Sequence, residues 1–234
     1  MQQNKPVIRV TQLEAFRRFL ANGDHSWYEI TEQSVIDSIT GEFKGNCKTR
    51  IGTAFHSIVE DCAATTRNEM VANGYIFDID GYNVALNINH ISLALRYRNE
   101  HPDAFHEVRM AKDYGRAIVS GCADMIDGLE IRDIKTKFST PTDADYIDSA
   151  QWRFYLDIFG ADTFHYDLFV FSGYKDTMEH DVRECTMMRY TPAITCYRYP
   201  RMEADNLELV NAFMDWAESR NLTQYLMRNT PIFV

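Results

Sequence analysis

Residues 120–137, SGCADMIDGLEIRDIKTK, constrain the fold more than any other stretch of the chain. Apolar and polar residues alternate on both sides of Asp127-Gly128. A "DG" pair between two alternating runs is a strong short-range signal for a β-hairpin. With Asp127 and Gly128 as the two turn residues, Ile126 pairs with Leu129, Asp124 with Ile131 and Cys122 with Asp133. A period of two then puts Asp124, Asp133 and Lys135 on one face, with the carboxylates as diagonal neighbours about 7–8 Å apart or less. Carboxylates at that spacing can converge on one divalent ion at roughly 2.1 Å from each oxygen. Lys135, one step along, can reach a nearby phosphate or water. Taken alone, the pattern equally describes a hairpin with a charged solvent face.

Two other segments bear on that choice. In GTAFHSIVE (52–60), His56 and Glu60 stand at i and i+4 and share a helix face interleaved with the apolar stripe of Phe55, Ile58 and Val59. Such a pair is often only a local polar contact. Beside two strand aspartates, however, it would complete a shell of nitrogen and oxygen ligands for a divalent metal. In SAQWRFYLDIFG (149–160), Gln151 and Tyr155 repeat the i, i+4 spacing. Their amide and hydroxyl can orient a phosphate or base, or the segment is an amphipathic helix that packs Trp152, Tyr155 and Leu156.

Around these segments the periodicity predicts helices over 11–22 (capped by Thr11), 51–73 (stripe completed by Cys62 and ended by Gly74), 88–99, 144–159 and 203–220. It predicts strands over 105–112, 115–126, 129–137, 164–172, 183–191 and 195–200, and an irregular polar stretch over 24–50. Helices, a strand block, a helix, more strands and a last helix make an α/β domain with a central mixed sheet flanked by helices. The 234 residues contain no internal repeat or low-complexity linker, so one domain over 1–234 is expected.

Composition excludes several classes. Hydrophobic residues make up 45% and charged residues 25%, which argues against a disordered or fibrous chain. No run approaches the roughly 18 apolar residues of a membrane span, and the N-terminus lacks the pattern of a signal peptide, so a cytoplasmic location is expected. Five scattered cysteines with no CxxC support neither a disulfide framework nor a zinc ribbon or iron–sulfur cluster. The net charge of −10 lowers the expectation of strong autonomous binding to nucleic acid, which usually needs a basic face.

Taken together, the three segments resemble the PD-(D/E)XK nuclease superfamily, in particular its RecB-type and phage (lambda-type) exonuclease-like branch. GTAFHSIVE is similar to G-x-x-x-H-x-x-x-E. The hairpin is similar to G-x-x-D followed across a turn by D-x-K-T, and SAQWRFYLDIFG to the Q-x-x-x-Y helix that comes after. The resemblance covers residues 52–160, within a core of about 51–175, and implies a restriction-endonuclease-like core.

It also implies roles. His56, Asp124, Asp133 and the carbonyl of Ile134 would ligate Mg²⁺ or Mn²⁺, Lys135 would position or activate the attacking water, and Glu60 would serve as a further carboxylate. Gln151 and Tyr155 would hold the DNA near the scissile phosphate; independently of the resemblance, the basic residues Lys137 and Arg153 near the site are DNA-facing candidates. Further DNA-facing candidates are Lys44, Lys48 and Arg50, and Arg189, Arg198 and Arg201 interleaved with Tyr190, Tyr197 and Tyr199. The second acidic position is Asp rather than Glu, which the family tolerates, and the iron–sulfur cysteines of some relatives are unmatched. The implied activity is a metal-dependent DNA exonuclease in phage recombination or repair, in the cytoplasm of a bacterium or an infected host. A structure-specific or nicking endonuclease, or a non-catalytic DNA-binding or scaffolding module, are the alternatives. The acidic charge fits work with a recombination or annealing partner, or a ring-shaped homo-oligomer of the kind some relatives form.

Overall fold

The structure, a computed structural model, describes residues 5–22, 30–41, 45–61 and 68–227. Lys44 and Cys62 lie outside the described residues. The elements run β1 (Val7–Arg9), α1 (Val10–Asn22), α2 (Glu32–Thr40), α3 (Cys47–Glu60), β2 (Glu69–Val71), β3 (Gly74–Ile79), β4 (Tyr82–Asn87) and α4 (Ile88–Glu100). They continue with β5 (Phe105–Asp113), β6 (Ile118–Asp127), β7 (Glu130–Lys137), α5 (Ala144–Ile147), α6 (Gln151–Phe159), β8 (Thr163–Ser172), β9 (Thr186–Arg189), β10 (Ile194–Tyr197), α7 (Met202–Ser219) and α8 (Thr223–Leu226). This is an α/β architecture whose central mixed sheet has helices on both faces. Among the described residues, no helix is long and apolar enough to cross a membrane.

Strand β6 organises the sheet. β5 runs antiparallel along one of its edges, while β7 (antiparallel) and β1 (parallel) share the other. β8 lies parallel to β7, and β9 and β10 divide its far edge. A parallel strand covered on both faces needs apolar side chains in both directions. β8 supplies them, with Phe164 and Leu168 facing one core and Phe169 and Phe171 the other. The first core is closed by α1, α6 and α7 through Phe16, Phe154 and Phe213, the second by α3 and α4 through Phe55, Ile58 and Tyr97. Burial of Ile51, Phe55, Ile58 and Val59 contributes about 1.5–3 kcal/mol for each large side chain and sets the rotation of α3. That rotation turns His56 and Glu60 toward the end of β6.

Several boundaries differ from expectation for identifiable reasons. The hairpin turn is Gly128-Leu129, so Asp127 pairs with Glu130, Ile126 with Ile131 and Met125 with Arg132. Gly128 alone has positive φ (63°), the requirement of a two-residue turn with glycine first. Asp127 stays in the strand and accepts a hydrogen bond from His101 Nδ1 at 2.8 Å. Moving the turn by one residue shifts the register by two, so the parity of the pairing is unchanged at the hairpin.

The predicted helix over 51–73 ends at Glu60, where the Arg98 guanidinium donates to the last carbonyls, of Val59 and Glu60. Residues 62–67 lie outside the described residues, and 69–71 pair with β3 as a strand. Gly74, expected as a helix terminator, opens β3 instead, where a Cβ would lie 2.0 Å from the Leu86 carbonyl oxygen. The helix predicted over 144–159 is broken into α5 and α6. Glu14 accepts the Ala150 N–H at 2.7 Å, and Ser149 Oγ that of Gln151 at 3.0 Å. α1 begins at Val10, one residue before the expected Thr11 cap, directly from β1. The stretch over 24–50, expected to be irregular, contains α2, capped by Thr31 and ended by Gly41. The β3–β4 hairpin was not anticipated, although its turn, Asp80-Gly81, is also a DG pair, here with positive φ at both residues (52° and 79°).

Gly74→Ala is therefore expected to destabilise the chain by about 1–3 kcal/mol through overpacking. Urea unfolding of the variant beside Gly81→Ser, which meets open space, checks this and separates the packing effect at 74 from the turn strain at 81.

Candidate functional site

The edge of β6 that faces β7 is paired only at its two ends, with β7 over Met125–Asp127 and with β1 over Ile118–Ser120. Residues 121–124 between them have no strand partner on that edge, so β6 and β7 open into a fork. Buried backbone groups in such a gap need other partners. The Ile134 N–H donates to Asp124 Oδ2 at 2.8 Å, and the Cys122 carbonyl accepts from the Tyr155 hydroxyl at 2.7 Å.

Side-chain alternation also reverses here. Lys112 and His106 are both even-numbered, yet Lys112 reaches Asp157 on α6 while His106 lies near Arg98 and His101, on the α4 side. Across the ladder, Val119 and Ala123 pack into the first core and Met125 into the second. The reversal falls at Glu107 and Asp124, the two positions missing from the otherwise continuous β5–β6 register. Glu107 holds φ at 51°, a left-handed conformation that costs a non-glycine residue on the order of 1 kcal/mol. The reversal turns Asp124 into the fork instead of onto either face.

Asp133 stands across the fork and is 4% exposed. Its Oδ1 accepts from Gln151 Nε2 and from Lys135 Nζ, both at 2.8 Å, and Lys135 Nζ lies 2.6 Å from Oδ2. Behind them α3 brings His56, whose Nδ1 is 3.8 Å from Asp124 Oδ2 and 4.0 Å from Glu60 Oε1. The Ile134 backbone lies in hydrogen-bonding reach of the His56 ring. The tertiary structure thus gathers His56, Glu60, Asp124, Asp133, Ile134, Lys135, Gln151 and Tyr155 around one point. Glu107 joins them as a residue the sequence reading missed. It pairs with Glu60 and accepts from the Cys122 thiol at 3.2 Å. Nothing in the alternating run FHEVRMAK marks Glu107, because its position depends on the backbone reversal.

Two clefts meet at Lys135. One, of about 590 Å³, is lined by Asp124, Asp133, Gln151, Tyr155, Arg9 and Arg109. The other, of about 780 Å³, is lined by His56, Glu60, Glu107, Lys48 and Lys137. Lys137 also sits over the Tyr146 ring, at 5.4 Å. Most of the other expected DNA-facing cations are engaged elsewhere. Arg153 donates to the Tyr199 hydroxyl, Arg50 stacks 3.8 Å from the Tyr82 ring centroid, and Arg189 binds Asp167 and Glu100. Arg198 donates to the Leu156 and Ala161 carbonyls at the end of α6, and Arg201 pairs with Asp205 and Glu208.

The site has an excess of negative charge. Burial raises the Asp133 carboxyl to about 6, opposed by Lys135 and reinforced by Asp124. Burial, then Glu107 and Asp124, push Glu60 up to about 7. Burial and the Lys135 charge hold His56 down at about 4, so its imidazole is neutral. Burial works against the Lys135 ammonium, but Asp133 and Asp124 outweigh it and keep the group charged.

The donor chemistry, carboxylate oxygens with one neutral imidazole, suits a hard divalent cation such as Mg²⁺ or Mn²⁺. The carboxyls crowd one another with Lys135 as their close counter-charge, and a cation would relieve that crowding. Among the described residues, however, no three His, Cys, Asp or Glu side chains stand close enough together to hold an ion as arranged. Lys135 and Gln151 occupy Asp133, and the Ile134 N–H occupies Asp124. An ion between the two aspartates requires Lys135 to release Asp133.

No family model and no curated protein matches the chain. Among solved structures, similarity extends to a protein of Eubacterium rectale named provisionally as an exonuclease, at 11% identity and a TM-score of 0.49, covering 94% of this chain and 82% of that one. It extends also to a phage-related exonuclease from Haemophilus somnus 129PT, at 12% identity and a TM-score of 0.43, covering 96% and 95%. At these values the likeness carries no functional argument, and the site's own geometry has to supply it.

The raised carboxyls make a directional prediction. Each must lose its proton to bind a cation, so affinity is full only above about pH 8 and falls as pH drops through the values of Glu60 and Asp133. Between pH 7.5 and 5.5, Mn²⁺ affinity measured by calorimetry should drop about 4-fold if only Asp133 titrates, and on the order of 100-fold if Glu60 also binds.

Proposed function

We propose that the chain is a divalent-metal-dependent deoxyribonuclease, acting as an exonuclease that hydrolyses phosphodiester bonds. The observation that carries this reading is the fork. Two strands part so that Asp124 and Asp133 face each other across it, with Lys135 between the carboxylates and the clefts. Structural packing alone gives no reason to bury two carboxylates facing each other at the meeting point of two clefts, where burial raises both and Asp124 raises Asp133 further.

Hydrolysis of a phosphodiester needs an attacking hydroxide, stabilisation of charge growing on the phosphoryl oxygens, and support for the leaving oxygen. When bound, a divalent ion supplies Lewis acidity and makes the attacking water more acidic. The remaining roles fall to the chain. Asp124 and Asp133 hold the cation, His56 adds a neutral nitrogen ligand, the Ile134 carbonyl is a further oxygen ligand, and Glu60 with Glu107 offers carboxylates alongside. Lys135, once released from Asp133, carries a positive charge to where negative charge develops on the phosphoryl group. Gln151 keeps Asp133 in place through its 2.8 Å hydrogen bond. Tyr155 holds the β6 backbone through Cys122. Both side chains therefore act on the protein first, and any contact they make to DNA is additional.

The contact between Lys135 and Asp133 favours a second reading, a non-catalytic DNA-binding or scaffolding module, because an ion pair at 2.6 Å closes the site to cations. The two readings part on mutation. Asp124→Asn keeps an oxygen to accept the Ile134 N–H, so its fold and melting temperature should match the wild type. Lys135→Ala leaves Asp133 with Gln151. Each variant should lose at least about 10²-fold of Mg²⁺- or Mn²⁺-dependent cleavage of linear duplex DNA. Wild-type activity in both would overturn the assignment.

An exonuclease should also leave covalently closed circular DNA intact while degrading the same DNA once linearised. Cutting of the closed circle would point instead to an endonuclease on the same centre.

A further inference from the structure

A chain of net charge −10 with four carboxylates at its candidate centre repels a polyanion unless cations draw it in. Few basic groups are available for that. Arg116 is tied to Asp215 and Glu218, Arg183 to Asp181, Arg132 to Glu130 and Asp167, and Arg189 to Asp167 and Glu100. Two arginines that line the cleft of Asp124 and Asp133 are different. Arg109 is exposed, and its side chain has no hydrogen bond or ion pair among the described residues. The Arg9 side chain donates a hydrogen bond to the Ser38 carbonyl at 2.9 Å and has no carboxylate partner among the described residues.

Their placement is set by strand register. Arg109 on β5 is the cross-strand partner of Cys122, and Arg9 on β1 is the partner of Ser120. Partners share a face of the sheet, so the two guanidiniums flank β6 on one face, two and four residues before Asp124. Two strand spacings of about 4.8 Å and an offset of two residues put their Cα atoms about 12 Å apart. That distance spans three to four phosphates at the roughly 3.4 Å rise of a stacked strand. A guanidinium presents a planar fork of N–H donors that matches two phosphate oxygens.

We infer that Arg9 and Arg109 form a phosphate-binding track for the internal phosphodiesters of a nucleic-acid strand entering the Asp124–Asp133 centre. The inference rests on the nuclease reading for its direction, toward that centre, but not for its chemistry. The track binds through charge and carries no base specificity, so it accepts strands of any sequence. It also separates two tasks along one cleft: guanidiniums hold the strand, and Asp124 and Asp133 in the fork beyond them meet the scissile group.

The test uses a DNA 12-mer with a 5′-hydroxyl and a dye on its 3′ end, in EDTA, with binding followed by anisotropy between 50 and 200 mM salt. Each phosphate contact contributes about 0.7 to the slope of log affinity against log salt for a single strand. Arg9→Gln and Arg109→Gln should each lower the slope by about 0.7 and the double variant by about 1.4, while Arg109→Lys, which keeps the charge, should restore most of the loss. Circular dichroism of each variant excludes misfolding.

Wild-type binding by the double variant overturns the track, as does a wild-type protein that does not bind the strand. A loss confined to 5′-phosphorylated strands also overturns it, since that result marks a pocket for a terminal phosphate. The fate of the nuclease reading is scored separately. If Asp124→Asn binds like the wild type and the wild type cleaves with Mn²⁺, both stand. A double variant that loses binding in a protein that cleaves nothing leaves the track and removes the nuclease.

Discussion

The Ile134 N–H donates 2.8 Å to a carboxylate oxygen of the neighbouring strand, Asp124 Oδ2, where an ordinary ladder would offer a backbone carbonyl. Much else depends on that exchange. A side chain reaching across holds β6 and β7 further apart than paired backbones would stand, and the unpaired segment 121–124 becomes a gap in the middle of the sheet. The gap gives Tyr155 its acceptor at Cys122, lets β1 join the same edge of β6 further along, and leaves room for Asp133 and Lys135 to meet Asp124. The left-handed backbone at Glu107 is the matching distortion on β5, since both strands must lose one step of alternation for the sheet to continue on the other side.

Burial then makes the cluster chemically tense. Partly or fully removed from water and each close to Asp124, the carboxyls of Asp133 and Glu60 hold protons more tightly than free groups do, while the neighbouring imidazole is kept neutral. Lys135 compensates part of this charge, and Gln151 holds the inner aspartate by a hydrogen bond from its uncharged amide. The scaffold behind the site is rigid for ordinary reasons. The apolar stripe of α3 is fully buried, the Arg98 guanidinium closes the end of that helix, and Asp167 ties β8 to Tyr97, Arg132 and Arg189.

Much of this was legible in the residues. Alternation and the DG pair located the β6–β7 hairpin, and the register error at its turn preserved parity, but the loss of alternation at Glu107 turns Asp124 into the fork rather than onto the predicted face. The i, i+4 spacings of His56 with Glu60 and of Gln151 with Tyr155 located two side-chain pairs that α3 and α6 do present to the site. Glu107 was not legible, since a non-glycine residue in a left-handed conformation leaves no local sequence mark. The engaged arginines were not legible either. Tyrosines and arginines interleaved over 189–201 look alike whether they face a ligand or cap the end of α6, as Arg198 does. The same limit hid Arg9 and Arg109, whose availability consists of lacking a carboxylate partner among the described residues.

The residue order by itself determined the class of the fold, the hairpin, the side shared by Asp133 and Lys135, and the two helical side-chain pairs. Each of these follows from periods of 2 and 3.6 residues acting over a few turns. Only the tertiary structure decided that β6 and β7 separate, that Glu107 joins the carboxylates, and that Gln151 and Tyr155 bind the protein itself. It also decided which arginines remain available on the sheet face. The physical reason is that these outcomes depend on pairing between strands and on competition among distant charged groups for partners. Separations of 10 to more than 100 residues along the chain govern them, and local spacing carries no record of that competition.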